Sequence, residues 1–175
     1  MRIAILDSGR GMKTSALYYT AMQSPIGKLH LVSDDKALLS IGLGGPKPAL
    51  KFKKSAQPNA VLTQTVAQLA EYFRGERLKF DLPTKLNGTE FQMKAWRSLE
   101  KIPYGKTISY REQAEKVGAG KAFRAVGSAN GRNPLPIVIP CHRVVASDGK
   151  LGGYAGGLKM KARLLEIERR AGALV

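Results

Sequence analysis

Three short apolar runs, LYYTAM (17–22), KLHLVS (28–33) and ALLSIGL (37–43), are separated by turn-forming SPIG (24–27) and DDK (34–36). Runs of this length broken by such turns predict an antiparallel meander. GGPKP (44–48) ends the sheet, and KFKKSAQP (51–58) reads as a basic loop. The period then changes. Leu62, Val66, Leu69 and Phe73 recur at i, i+4, i+7 and i+11, which predicts a helix from about Asn59 with Gly75 as its stop. FDLPTKLNG (80–88) follows as an extended linker and places a domain boundary near residue 87. Residues 1–13 are too weakly patterned for a signal peptide and fit either a first strand or an extension.

The second half, 88–175, is patterned for helices. Thr89-Glu90-Phe91-Gln92 has the form of a capping box, and Phe91, Ala95, Trp96 and Leu99 give the helix behind it an apolar face. IPYG (102–105) ends that helix. Ser109-Tyr110-Arg111-Glu112 is a second capping box, opening a helix to about Val117. After GAG (118–120), KAFRAVGSA (121–129) reads as a further helix, so the pair fits a helix-turn-helix or an ordinary αα-hairpin. The second helix of the pair is built from small residues, Ala122, Ala125, Gly127, Ser128 and Ala129, around the long cation Arg124. It offers little for reading base edges, but it suits close approach to a backbone or a narrow groove with Arg124 entering the base stack. The fold class is therefore α+β: a small N-terminal antiparallel sheet domain with a helix, then a mostly helical C-terminal domain.

Charge changes the picture. Lys and Arg number 29 against 13 acidic residues, a net +16 on 175 residues, and the excess runs through both halves. That favours a polyanionic partner and tilts the helical pair toward DNA. No apolar run is long enough for a membrane span. With one Cys and two His, neither an internal disulfide nor a structural zinc site is expected.

The single cysteine, Cys141, lies in PIVIPCHRVVAS (136–147), between an apolar approach and the polar pair His142 and Arg143. The run 137–139 suggests a strand reaching inward, bent at Pro140. Burial alone keeps a thiol protonated, whereas a nearby base favours the thiolate. Sequence neighbours on an extended chain face opposite sides, so a Cys141–His142 pair needs a turn at 140–142 or a bridging water. The alternative is an inert buried cysteine. In the C-terminal segment Leu164, Glu168 and Ala171 share one helical face, which puts a carboxylate on an apolar stripe. Its partner is His142, giving Cys–His–Glu, or else Arg143 or Lys161, or it snorkels to the rim.

PCHRVV, with IPYGKTISY and FRAVGSANGRNP upstream and GGYAGG downstream, resembles the O6-alkylguanine-DNA alkyltransferase family across roughly residues 88–170, and more weakly through SPIGKLHLVSDD. The resemblance implies a ribonuclease H-like N-terminal domain and direct-reversal repair. The alkyl group passes from O6 of guanine, and also from O4 of thymine, to Cys141 after minor-groove binding and base flipping. His142 would act as base through a water and Glu168 would orient it. Tyr110 would assist the flipped guanine and rotate the 3′ phosphate. Arg124 would fill the gap in the stack, with Ala125, Gly127 and Arg132 at the DNA surface. Asn133, Val144, Tyr154, Ala155 and Lys161 would form or brace the lesion pocket; Ala155 stands where relatives often carry Ser. No cofactor or metal is implied, the partner is duplex DNA carrying the lesion, and the expected state is a cytoplasmic monomer, nucleoid-associated in a prokaryote. Cooperative binding along DNA stays open. Competing readings are a non-repairing binder or regulator that recognises alkylated DNA, and a thiol hydrolase built on Cys141, His142 and Glu168.

Overall fold

The computed structural model describes residues 16–46, 48–50, 52 and 58–172. Residues 1–13 and most of the basic loop 51–57 lie outside them. Strands β1 (Tyr18–Ser24), β2 (Gly27–Ser33) and β3 (Leu38–Leu43) form the expected antiparallel meander in the order β1-β2-β3. β2 is buried from Leu29 to Ser33, so its apolar side chains lie inside while the β1 side stays partly covered.

Helix α1 (Ala60–Arg74) starts where the Asn59 side chain accepts from the Leu62 amide, 3.0 Å. It stops at Gly75, which adopts φ 78° and donates to Tyr72 O while Glu76 donates to Glu71 O, both 3.0 Å. This pairing of 5→2 and 6→1 bonds needs a left-handed residue, which glycine adopts at little cost. A Cβ on Gly75 would also stand 2.9 Å from the Ala171 Cβ. Gly75→Ala is therefore expected to lower stability by about 1–3 kcal/mol, read from a denaturant melt. A melt unchanged from wild type would show that the cap relaxes freely.

The linker is more than a spacer. Leu38 N donates to Pro83 O (2.8 Å) and Lys85 N to Leu38 O (3.0 Å), so it adds a bridge to the free edge of β3. On the same edge Ile41 N donates to Pro134 O at 2.8 Å, which pins the loop leading to Cys141 against the sheet.

Helix α2 (Glu90–Leu99) carries the Thr89–Gln92 capping box and buries Trp96 and Leu99. Strand β4 (Ile108–Ser109) leads straight into α3 (Tyr110–Lys116), capped reciprocally by Ser109 and Glu112. Helix α4 (Phe123–Gly131) lies two residues later at each end than the pattern suggested. Its inner face is held by Trp96 Nε1 donating to Ala129 O (2.9 Å) and by a buried amide pair, Asn130 Nδ2 donating to Gln113 Oε1 (2.7 Å). These bonds satisfy polar groups that burial would otherwise penalise, and they fix α4 on α2 and α3. Helix α5 (Leu158–Gly172) closes the fold.

One apolar cluster runs from Leu29 and Ile41 through Leu69 and Tyr72 to Trp96, Leu135, Val144 and Leu164, so the two halves share a core. A smaller cluster of Ala114, Val117 and Val126, with Phe91 and Ala119, belongs to the helical pair. None of the described helices is long and apolar enough to cross a membrane.

Candidate active site

The expected inward strand at 137–139 is absent. Pro136 and Ile139 form only an isolated bridge, and between them the chain turns, with Ile137 buried at φ 78°. A β-branched residue rarely adopts this conformation. Here it is fixed from both sides: Ile139 N donates to Leu135 O (2.8 Å), and the Asn133 amide donates to Ile139 O (2.7 Å). The run is apolar because it is buried in a tight loop, which apolar composition alone does not distinguish from a buried strand.

Pro140 then makes a tight turn, with Cys141 N donating to Ile139 O at 2.8 Å, and a single 3-10 turn follows over Cys141–Arg143. This is the turn that a Cys–His arrangement requires. It leads into β5 (Val144–Val145), which pairs in parallel with β4, Ile108 opposite Val144 and Ser109 opposite Val145. The consequence is positional: the residue after β4 is Tyr110 and the turn before β5 holds Cys141, so this short ladder sets Tyr110 beside the thiol.

His142 and Glu168 are fully buried and joined, His142 Nε2 to Glu168 Oε1 at 2.7 Å. Arg143 joins the same carboxylate, Nε to Oε2 at 2.9 Å, and Arg143 Nη1 donates to Ile102 O at 2.7 Å. The alternatives for Glu168 thus resolve into two simultaneous partners. Lys161 is not among them; its Nζ donates to the carbonyls of Val144, Leu151 and Gly153. Burial would raise the Glu168 pKa, but the hydrogen bond from His142 and the hydrogen bonds and charge of Arg143 outweigh it and hold it at about 2. Burial lowers the His142 pKa against the pull of Glu168, so the imidazole stays neutral. Its Nε2 faces an ionised carboxylate and carries the proton. Nδ1 is left as an acceptor, buried and without a protein hydrogen-bond partner among the described residues.

Burial also raises the Cys141 thiol, partly offset by the Asn133 side chain and the Lys161 charge. Lys161 itself is pushed down to about 8 by burial. The resting group is therefore a thiol that needs a base at the moment of reaction.

Cys141, nearly buried, lines a cavity of about 490 Å³. Its walls are Tyr110, the face of α4 that carries Phe123, Arg124, Gly127 and Asn130, and the loop with Gly153, Tyr154 and Ala155. Tyr110 Oη donates to Gly153 O at 3.2 Å, and its ring lies where a Cβ on Gly152, itself at φ 67°, would come within 2.8 Å. The Tyr154 hydroxyl is buried with no partner among the described residues. Of the residues singled out from sequence, Tyr110, Arg124, Gly127, Cys141, Tyr154 and Ala155 meet at the cavity. His142, Glu168, Asn133, Val144 and Lys161 are buried behind it as support. Ala125 and Arg132 are exposed on α4 and beside it, outside the cavity lining, with Arg132 Nη1 bonded to Ser128 Oγ at 2.8 Å.

Residues 17–86 match the ribonuclease-like domain of 6-O-methylguanine DNA methyltransferase, and residues 90–170 match its DNA-binding domain. The methylated-DNA–protein-cysteine methyltransferase of Mycolicibacterium paratuberculosis is 45% identical over 152 residues, covering 87% of this chain and 92% of that protein. The chain belongs to this methyltransferase family. Another methyltransferase, the constitutive one of Bacillus subtilis, is 44% identical over 160 residues, covering 87% and 95%. The crystal structure of Mycobacterium tuberculosis OGT in complex with DNA superposes with a TM-score of 0.81 at 41% identity, covering 88% of this chain and 94% of that one.

Sequence reasoning missed one member of the methyltransferase site altogether. Tyr72, fully buried on α1, donates its hydroxyl to Glu168 Oε1 at 2.8 Å. Burial, then the Glu168 charge, raise its pKa, so it remains a donor. Gly105 N gives the carboxylate a further bond at 3.0 Å. The only signal for Tyr72 was an aromatic beside the stripe that faces the core.

Proposed function

We propose that this chain repairs alkylated duplex DNA by direct reversal, moving one alkyl group from O6 of guanine onto Sγ of Cys141. The observation that carries this reading is the position of Cys141. It is nearly buried in the lining of a cavity walled by the second helix of a helix-turn-helix, with a neutral His142 bonded to Glu168 behind it. The volume is that of pockets which enclose small-molecule ligands. A base inside a duplex cannot reach a nearly buried thiol unless it leaves the stack, which costs a few kcal/mol and least at a damaged base.

The steps follow from the geometry. The thiol proton passes through a water to His142 Nδ1, and Glu168 stabilises the charge this creates. The thiolate attacks the alkyl carbon, the carbon–O6 bond breaks, and its electron pair returns to the guanine. Tyr110, kept protonated by burial and by the negative charge that develops on Cys141, supports the leaving base and relays the proton it needs. Backbone groups of Cys141, Val144 and Ala155 meet the base edge, and Arg124 fills the place left in the stack. Asn133 and Lys161 brace the walls, and Ala125, Gly127 and Arg132 face the minor groove. O4 of thymine presents the same alkyl–oxygen bond and is a second substrate.

A thioether has no leaving group under these conditions, so the protein is consumed in one turnover. Net charge +16 supplies sequence-independent attraction to phosphates. The division of labour is a structural domain over 1–87 and a DNA-binding, alkyl-accepting domain over 88–175, in a monomer acting in the cytoplasm without cofactor or metal. The test is intact mass after exposure to an O6-methylguanine duplex. One methyl group per chain is expected, located at Cys141 by peptide mapping. Tight lesion binding with no gain of mass would favour a non-repairing binder instead.

A further inference from the structure

We propose that Phe123 is a second side chain that opens the duplex, working beside Arg124 by stacking on the base next to the one that leaves. The inference rests on the functional reading above and goes beyond it, since that reading assigns the opening of the stack to Arg124 alone.

Phe123 is the first residue of α4 and is 41% exposed. Among the described residues, the other large apolar side chains with such exposure are Leu78 and Leu158, and neither lines the cavity. Phe123 does line it. It shares a helical face with Gly127, Asn130 and Gly131, at i+4, i+7 and i+8, and that face is turned toward Cys141. Val126, Ala129 and Asn130 are the residues of this helix buried against its neighbours, and Phe123 belongs to neither apolar cluster. The aromatic ring is thus presented on the ligand side of the helix and takes no part in the core.

The chemistry of the partner fits. A nucleobase next to a vacated position loses one stacking neighbour, and a phenyl ring replaces it with a flat apolar face. Consecutive helical residues diverge by about 100°, so Phe123 and Arg124 address neighbouring steps of the duplex, not the same one. Apolar wedges of this kind unstack and kink DNA entered from the minor groove. Stacking is tolerant of sequence, which suits a helix that offers little for reading base edges.

The experiment compares single-turnover alkyl transfer to an O6-methylguanine duplex with transfer from free O6-benzylguanine, for wild type, F123A, F123L and F123W, with a thermal melt of each. F123A is expected to slow the duplex reaction roughly 5- to 150-fold, the worth of one base–aromatic stack, and to slow the free-base reaction far less, because a free base leaves no stack to be filled. F123W is expected to restore most of the duplex rate, and F123L, apolar but without a π face, to stay near F123A. Equal rates for F123A and wild type on duplex would overturn the proposal. So would equal losses on both substrates with an unchanged melt, which would make Phe123 a wall of the base pocket with no part in opening the stack. Should F123A lose melting temperature, F123W decides: a slow duplex reaction by a well-folded F123W overturns the proposal. If wild type transfers nothing from duplex or free base, the functional reading itself has failed, and the role of Phe123 falls with it.

Discussion

A Cys141→Ser protein is expected to bind an O6-methylguanine duplex as tightly as wild type and to take no methyl group from it. The substitution removes one heavy-atom identity from the cavity lining and leaves every other wall in place. Serine is close in shape, and its hydroxyl stays within reach of the Asn133 side chain that acts on the thiol. Stability should change by no more than about 1 kcal/mol. Reactivity falls for a different reason. An alkoxide is far harder to form than a thiolate, and a neutral imidazole with a lowered pKa is too weak a base to form it in a buried site. The measurement pairs a binding titration with intact mass after prolonged incubation. Methyl transfer that persists in Cys141→Ser would move the acceptor elsewhere and end the present reading.

The parts of the molecule that were legible in sequence are those whose cause is local. The meander follows from short apolar runs and their turns. α1 follows from its period and from Asn59 and Gly75, whose side chain and backbone freedom do the capping. Thr89 and Ser109 announced α2 and α3 by the same reciprocal bonds that the structure contains. Spacing showed Cys141 and His142 only as neighbours, with Glu168 as one of several candidates for a third member; the family resemblance gave them their roles. What was not legible depends on contacts between distant segments. The β4–β5 ladder has two residues in each strand, too few to show any period. The loop at 137–139 looked like a strand because it is buried, while its actual shape is dictated by Asn133 and by the positive φ of Ile137. Tyr72 enters the site across a separation of 96 residues, and nothing in its own neighbourhood marks it as polar in function.

The same long-range convergence makes Glu168→Gln a strongly disruptive change for its size. Five donors point at two carboxylate oxygens: Tyr72 Oη, His142 Nε2 and Arg143 Nη2 at Oε1, and Arg143 Nε and Gly105 N at Oε2. A carboxamide has one oxygen, and whichever way it is turned its NH₂ meets at least two of those donors. Arg143, nearly buried, would also keep its charge without a counter-ion. Loss of one partner from a buried pair costs about 3–5 kcal/mol, and that is the expected drop in a denaturant melt near neutral pH. The pH dependence separates charge from packing. Because the folded-state pKa is depressed to about 2, the ionised carboxylate stabilises the fold above its unfolded value, and this contribution, roughly 3 kcal/mol, is lost as pH falls from about 5 toward 2. Wild type should show that acid limb and Glu168→Gln should lack it, so the two curves converge at low pH. Reactivity toward free O6-benzylguanine should fall as well, because His142 loses the group that holds its Nε2 proton and balances the charge gained at Nδ1. A variant that loses stability but keeps the wild-type pH–reactivity profile would make Glu168 an anchor for Arg143 alone, and His142 would then need no orienting carboxylate to draw the proton from Cys141.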